Sequence, residues 1–196
     1  MELKITTTND LRLGVPQCCI SLNDWQENYI GDIKEEITVD IKVEPGNHVL
    51  NILHFGKTVH DHVLDYNGNI LIDKHFTIEK IALDGMELTI DELREGCFYP
   101  VYNNDYVQDC AKKNIELPNF ISPNLYLGHN GIWKLHFGYP VDSWLINKRG
   151  PAINLDNTIF QTSDHKLKRG FDFFNSAEEL QWPLNPKQKI IPINEI

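Results

Sequence analysis

A strict alternation of apolar and polar residues over positions 36–43 constrains the fold of this chain more than any other feature. The apolar members are Ile37, Val39, Ile41 and Val43. Successive side chains of a β-strand point to opposite faces, so this pattern predicts a strand with one buried and one solvated face. Pro45-Gly46-Asn47 follows, and apolar residues resume over 49–55, which predicts a second strand joined to the first by a hairpin.

The strongest turn signal lies between residues 65 and 69. Asn67-Gly68 favours a positive φ at both central positions of a type I′ turn, which would join Val63-Leu64 to Ile70–Ile72 as a hairpin. Further strands are predicted over 76–83, which ends at Asp84-Gly85, and on both sides of His129-Asn130-Gly131.

Helical patterns are short by comparison. Cap-like starts occur at Thr89–Gly96 and Ser176–Gln181. Parallel βαβ units need longer helices between strands, so the sequence predicts a mainly β fold, an antiparallel β-sandwich of jelly-roll-like type. We expect an N-terminal extension over 1–34, the sandwich core over 35–150 and an extended, proline-rich C-terminal arm over 151–196.

Charge and composition limit the classes of molecule that the protein is expected to bind. The 196 residues carry a formal net charge of -10, which disfavours contact with nucleic acid or with anionic lipid. The four cysteines have no C-x-x-C spacing and are expected to be reduced thiols. We expect a soluble protein made in a cytoplasm, because no secretory signal and no apolar run of about 20 residues that could insert in a membrane is present.

A recurring order of turn and strand residues lies within 36–147. It consists of Gly56-Lys57-Thr58, Asp61, Asp65, Asn67–Ile70, Ile78–Ile81, Leu83–Met86, Leu127–Trp133 and Trp144-Leu145. This pattern resembles a group of small proteins of T4-like marine bacteriophages, which is similar in turn to compact β-sandwich carbohydrate-binding modules, some of which hold calcium near the sugar. The resemblance implies a β-sandwich and a place in a virus particle.

Two metal hypotheses involve the segment 60–69. His60-Asp61-His62 places two histidines on one side of a predicted strand, as in the metal-binding half of a cupin, but the Glu that a cupin needs soon afterwards is missing. Asp65, Asn67 and Asn69 alternate like calcium ligands, yet the glycine and the glutamate of an EF-hand are missing. An irregular calcium site that uses Asp61 and Asp65 remains as a hypothesis, and no other cofactor is predicted.

A cluster of tyrosines and amides provides the candidate binding site. Loops of this composition stack on sugar rings or bind protein partners, and its members are Tyr99, Tyr102, Asn103, Asn104 and Tyr106. Trp133 and Trp144 have apolar neighbours and are expected in the core. No G-x-S-x-G or H-E-x-x-H motif is present, so no catalytic residue is predicted and the protein is not expected to be an enzyme.

Three functions remain open at this stage. The first is a bacteriophage virion structural or assembly protein, located in the virion and bound to other protein subunits through its arms. The second is a calcium-assisted glycan-binding module. The third is a metal-dependent enzyme of cupin-like type.

Overall fold

The computed structural model of the protein describes residues 1–23 and 26–150, and Met1–Ala152 form one compact unit. The strands of this part are β1 (Glu2–Asn9), β2 (Gln17–Leu22), β3 (Gln26–Asp32), β4 (Glu36–Asp40), β5 (Gly46–Phe55), β6 (His62–Leu64), β7 (Ile70–Asp73), β8 (Phe76–Leu83), β9 (Met86–Glu87), β10 (Cys97–Val101), β11 (Tyr126–Leu127) and β12 (Asn130–Tyr139). The helices are α1 (Ile90–Leu93), α2 (Asn104–Lys112) and α3 (Val141–Arg149), and a 3-10 turn covers Leu11–Leu13.

Two antiparallel sheets form a sandwich. Sheet A has the order β4-β1-β8, and the other edge of β8 pairs with β11 at its start and with β9 at its end. Sheet B has the order β10-β12-β5-β2-β3. Strands β6 and β7 pair with each other in a separate two-stranded sheet, called hairpin β6–β7 below. The predicted mainly β, antiparallel sandwich is therefore confirmed.

The core lies between the inner faces of the two sheets. Sheet A contributes Leu3 and Ile5 from β1, and sheet B contributes the fully buried Trp133. The indole of Trp133 lies against Gly96, where an added Cβ would come within 2.1 Å of its Cζ2 atom. The core therefore needs a glycine at this position because any larger residue would occupy the space of the indole.

The alternation over 36–43 does form a half-buried edge strand, β4, but the predicted hairpin to 49–55 is wrong. β4 pairs with β1 in sheet A, whereas β5 pairs with β2 and β12 in sheet B. Both strands bury their apolar faces in the same core from opposite sides. A Pro-Gly sequence predicts that the chain reverses direction, but it does not determine which sheet the next strand joins. The strands on either side of His129-Asn130-Gly131 are divided in the same way, since β11 belongs to sheet A and β12 to sheet B.

The prediction that residues 1–34 extend from the core is also wrong. β1 lies between β4 and β8 in sheet A, and β2 lies between β3 and β5 in sheet B. The threonines at 6, 7 and 8 make β1 difficult to recognise as a core strand from its sequence. In the structure Thr7 is nevertheless buried, and its Oγ1 donates a hydrogen bond to the carbonyl oxygen of Lys34. The arm predicted over 151–196 and the helix start at Ser176 lie outside the described residues.

The hairpin around Asn67-Gly68 is confirmed, although the turn is not of type I′. Gly68 has φ 82°, and the amide of Gly68 donates to the carbonyl oxygen of Asp65, which makes a type I turn followed by a left-handed glycine. The Asp65 carboxylate stabilises it by accepting hydrogen bonds from the amides of Asn67 and Asn69, both at 2.8 Å. A positive φ at two successive positions occurs instead at Asp84-Gly85, between β8 and β9.

The helix predicted at Thr89 is confirmed as α1, with a capping box between Thr89 and Glu92. Helices α2 and α3 were not predicted. The stretch from Tyr99 to Tyr106 was expected to be a loop, yet α2 begins inside it because Asn103 caps the helix. None of the helices in the described residues combines the length and apolar character that crossing a membrane requires.

Candidate functional site

The structure divides the predicted binding residues between two surfaces. Tyr99 lies on β10 and points to the outer face of sheet B, which is the face turned away from the core. Tyr102 and Tyr106 lie at the end of the sandwich, where Tyr102 follows β10 and Tyr106 belongs to the first turn of α2. Tyr102 packs against His129 and donates to Pro118 there, so it does not lie beside Tyr99 on the outer face.

Tyr102 and Tyr106 form an aromatic cluster with His129. The ring centroid of His129 is 5.0 Å from that of Tyr102 and 5.6 Å from that of Tyr106, and the two tyrosine rings are 5.9 Å apart. The hydroxyl of Tyr102 donates to the carbonyl oxygen of Pro118 at 3.1 Å. These rings are tilted against one another and pack together, so they do not present one flat platform.

Asn103 and Asn104 have different positions. The side-chain oxygen of Asn103 accepts a hydrogen bond of 2.7 Å from the amide of Tyr106 and is therefore engaged in capping α2. Asn104 is the first residue of the helix and is exposed.

A polar network holds the loop that carries His129. The ammonium group of Lys57 donates to the Asp73 carboxylate and to the carbonyl oxygen of Gly128. The hydroxyl of Tyr126 donates to Asp73 Oδ2 at 2.9 Å, and burial raises the pKa of Tyr126. The Asn130 side chain accepts from the amide of Lys57 at 2.9 Å and donates to its carbonyl oxygen at 2.8 Å. Lys57 thus ties the loop 128–130 to β7.

Two histidines, His129 on this loop and His54 on β5, have lowered pKa values. Burial lowers the pKa of His54 to about 4, and the nearby charge of Lys57 acts in the same direction. Burial also lowers the pKa of His129, again with a contribution from Lys57. His54 Nδ1 lies 2.9 Å from the carbonyl oxygen of His129, so the neutral ring donates from Nδ1.

The outer face of sheet B carries two parallel rows of side chains that follow from the strand register. The apolar row crosses all five strands and consists of Tyr99, Ile132, Leu53, Cys19 and Ile30. The polar row lies two residues further along β10, β12, β5 and β2, and three further along β3, where the register with β2 shifts. It consists of Cys97, Lys134, Asn51, Ser21 and Glu27. Among these residues Cys19, Asn51 and Ser21 are buried, whereas Tyr99, Lys134, Leu53 and Ile132 are half-buried.

A shallow depression of about 290 Å³ opens on this face beside the polar row, and it is lined by Asn23, Val49, Asn51 and Lys134. The Asn51 amide donates to the carbonyl oxygen of Asn23 at 2.9 Å, and Asn23 Oδ1 accepts from the amide of Val49 at 3.0 Å. These hydrogen bonds fix the amide side chains in place, so the polar groups of the depression are preorganised.

Tyr99 borders the same surface. The ammonium nitrogen of Lys134 lies 5.5 Å from the centroid of the Tyr99 ring, and the Phe120 ring lies 6.2 Å from it. Burial raises the pKa of Tyr99, so its hydroxyl is neutral and can donate a hydrogen bond. Tyr99, Lys134 and the depression together are called the sheet B site below.

The carboxylates predicted to bind metal, those of Asp61 and Asp65, accept hydrogen bonds within turns of the chain. Asp61 Oδ2 accepts from the amide and the hydroxyl of Thr58 at 2.7 and 2.9 Å, and Asp61 Oδ1 lies 3.4 Å from Lys74 Nζ. Burial alone would raise the pKa of Asp61, but these hydrogen bonds and the Lys74 charge lower it overall. The side-chain hydrogen bond from Asn69 lowers the pKa of Asp65. Within the described residues, no group of three or more His, Cys, Asp or Glu side chains is placed to hold a metal ion.

No protein-family model and no curated protein matches this chain. A solved structure described as "vCBM60 in complex with galactobiose" has a TM-score of 0.42 and 9% sequence identity to it, over 70% of this chain and 98% of that chain. A similarity of this size carries no argument, so the fold and the site rest on the strand pairing and contacts of the chain itself.

Sequence reasoning missed most of this surface. Asn23 and Lys134 are more than a hundred positions apart in the chain, with Asn51 between them, and only the register of β2, β5 and β12 brings the three together. One signal was present, because Asn51 is a polar residue inside the otherwise apolar run 49–53. A polar residue at such a position marks either a buried hydrogen bond or a ligand contact.

Proposed function

We propose that the protein is a non-catalytic binding module that binds a neutral glycan at the sheet B site. The observation that carries this proposal is the preorganised depression, in which amide and ammonium groups lie beside an aromatic ring on an open sheet face. Sugars combine apolar ring faces with hydroxyl groups, so a site for them needs aromatic or aliphatic contacts together with fixed hydrogen-bond partners.

The two rows support an extended ligand. Neighbouring strands are about 4.8 Å apart, so a row over five strands is about 19 Å long. A chain of sugars that crosses the strands would meet apolar side chains along one line and polar side chains along the next. This surface is accessible on β10, β12 and β5, where Tyr99, Lys134 and Leu53 are half-buried, and on β3, where Glu27 and Ile30 are exposed.

The charge of the protein supports a neutral ligand over an acidic one. The chain has a formal net charge of -10, which repels polyanions at long range. Lys134 is a single cation within the polar row, and its amine can donate to hydroxyl oxygens without a counter-ion on the sugar.

A glycan array with the intact protein tests this function. We expect binding to neutral glycans, and we expect Tyr99→Ala and Lys134→Ala each to weaken it by roughly 1–3 kcal/mol, about 5- to 150-fold. Lys112→Ala, on the exposed side of α2, is the matched control and should leave affinity unchanged. Loss with Tyr102→Ala or Tyr106→Ala, but not with Tyr99→Ala, would place the site at the aromatic cluster. An array without any binder would refute the proposal.

A role in assembly is a second candidate, and one observation favours it. Hairpin β6–β7 stands outside both sheets and exposes several large apolar side chains, which is typical of surfaces that bind other proteins. The virion role implied by the sequence resemblance stays a prediction. It is tested by isolating particles and asking whether the protein remains with them after washing at high salt.

Calcium binding through Asp61 and Asp65 also stays a prediction. Against it, both carboxylates already accept hydrogen bonds within their own turns. If calcium binds, chelation lowers the melting temperature, because a ligand of the folded state alone stabilises it. The cupin-like alternative has no group of three ligands in the described residues to support it.

A further inference from the structure

We propose that hairpin β6–β7 is a contact site for a second copy of this chain, so that the protein self-associates through its hairpins. The hairpin is the most exposed apolar element of the described structure. Tyr66 at its tip is 97% exposed, Ile70 is 62% exposed and Leu71 is 60% exposed. This proposal does not depend on glycan binding, which uses the outer face of sheet B.

The exposed apolar side chains of the protein are concentrated here. Seventeen large apolar side chains are exposed in the described residues. Eight of them lie either in the hairpin and the residues just before it or in the segment 11–15, which contacts β7 of the hairpin through its 3-10 turn. They are Leu11 and Val15, and Val59, Val63, Leu64, Tyr66, Ile70 and Leu71. Such a concentration on one element marks an interaction surface, whereas single exposed apolar residues are ordinary.

The base of the hairpin is held firmly, so its exposure is not a consequence of loose structure. Asp73 is paired with Lys57 and bonded to Tyr126, and Lys74 is paired with Asp61 through side chains that are each 17% exposed. The tip is ordered by the Asp65 carboxylate. These contacts pre-organise an apolar element, which reduces the entropy lost when it binds.

The charge distribution favours another copy at this place. Each chain carries a formal net charge of -10, so most of its surface repels a copy. From Val63 to Ile72 the sequence contains a single charged residue, Asp65, and its carboxylate is directed into its own turn. At the hairpin, therefore, two copies can come into contact without bringing like charges together.

The strand edges of the hairpin give a further reason to expect pairing with a second copy. Within the described residues, neither outer edge of hairpin β6–β7 pairs with another strand. A two-stranded sheet is marginal on its own, and sheets gain stability from a third and fourth strand. Two hairpins that pair edge to edge would form a four-stranded sheet and bring the Leu64, Ile70 and Leu71 side chains of both copies together on one continuous sheet. Because the hairpin has only twelve residues, whereas a standard interface has 20–30 on each side, we expect weak association.

Sedimentation velocity of the full chain from about 10 μM to about 1 mM tests the proposal. We expect the sedimentation coefficient to rise with concentration toward that of a dimer. The double variant L64D/L71D should stay monomeric over the whole range, because each copy then brings two like charges to the contact. Ile146→Asp, which changes a residue of α3 that is 58% exposed, is the matched control and should associate like the wild type.

Hydrogen exchange provides a second measurement that does not depend on the variant. Backbone amides of β6 and β7 should exchange more slowly as the protein concentration rises, while those of α2 should not change. A monomer at all concentrations, or an association that L64D/L71D leaves intact, would overturn the proposal. So would a monomer that binds phosphatidylcholine vesicles only when Leu64 and Leu71 are present, since the hairpin would then be a membrane contact.

Discussion

His54 is a buried imidazole whose two nitrogens differ. Nδ1 bonds to the carbonyl oxygen of His129, whereas Nε2 is buried without a hydrogen-bond partner. The Phe76 ring lies 5.2 Å away in an edge arrangement, so an apolar group and not a carboxylate faces part of the histidine. A proton on Nε2 would therefore bring a positive charge into the core at a nitrogen that has no hydrogen-bond acceptor.

This residue predicts a loss of stability in weak acid. The pKa of His54 is about 4 in the folded protein, below the ordinary value of 6.5, so the unfolded chain binds the proton more readily. The contribution of neutral His54 to the free energy of unfolding is fully present above pH 6.5. It is lost as the pH falls toward 4, by up to about 3 kcal/mol. Urea unfolding across this range should show the slope, and His54→Asn should reduce it.

His60→Asn provides the control because His60 is exposed. It should leave the pH dependence as in the wild type. Equal slopes in all three proteins would contradict a neutral His54 in the folded state.

Capping residues were the most predictable feature of single positions. Thr89 and Glu92 form the expected capping box because both partners are local and three positions apart. Asn103 carried the same kind of signal, yet the tyrosines around it favoured a loop. Helix α2 spans only nine residues and buries only Cys110, so its few apolar positions did not identify it as a helix.

Helices α1 and α3 are linked by an ion pair that no local pattern predicts. Arg149 Nε and Nη2 donate to the two carboxylate oxygens of Glu92 at 2.8 and 2.6 Å, and Nη2 also donates to the carbonyl oxygen of Glu87. The hydrogen bond from Arg149 lowers the pKa of Glu92 to about 2. Glu92 is almost fully buried, so its charge depends on this partner.

We expect Arg149→Ala to lower the free energy of unfolding by about 2 kcal/mol, less than for a fully buried pair because Arg149 is partly exposed. The double variant R149A/E92Q should recover part of the loss, since the glutamine leaves no charge without a partner. Arg94→Ala breaks the exposed pair with Asp91 and should cost less than about 1 kcal/mol. Urea denaturation at pH 7 measures all three. An equal effect of Arg149→Ala and Arg94→Ala would mean that Glu92 does not need its partner.

Strands were predicted more reliably than their partners. The alternation in β4 and the apolar run in β5 are both real, but each pattern reports only that one face is buried. Both sheets of a sandwich bury their faces in one core, so the sequence cannot tell which sheet a strand joins. The sheet B site depends on that assignment, and for this reason its amides and its lysine could not be recognised together.

At the scale of the molecule, the largest error was the boundary at residue 34. The strand pattern is denser after residue 35, which suggested an extension before it, although Leu3 and Ile5 are almost completely buried between the sheets. These two spaced apolar positions were too few to be recognised without their partners on β8. The antiparallel class was correct because it rested on turn spacing, which is local.

A chain that lacks residues 1–34 should therefore fail to fold. β4 and β8 would lose the strand between them, and β5 would lose one of its two partners. Circular dichroism and amide proton spectra of this variant should show no cooperative unfolding transition, in contrast to the full chain. A cooperative transition in the shortened chain would show that the core forms without β1 and β2.

The central position of β1 also sets an order of events during synthesis. Of the strands in residues 1–150, this one is made first, yet its two neighbours end at Asp40 and Leu83, and sheet B closes only with β12, which ends at Tyr139. At synthesis rates of about 5–20 residues per second, β1 waits several seconds for its second neighbour. During that time its apolar face is open to chaperones, and pairings between distant strands make the final step slow. Ribosome-bound intermediates of this protein are thus expected to keep the apolar face of β1 exposed until β8 has been made.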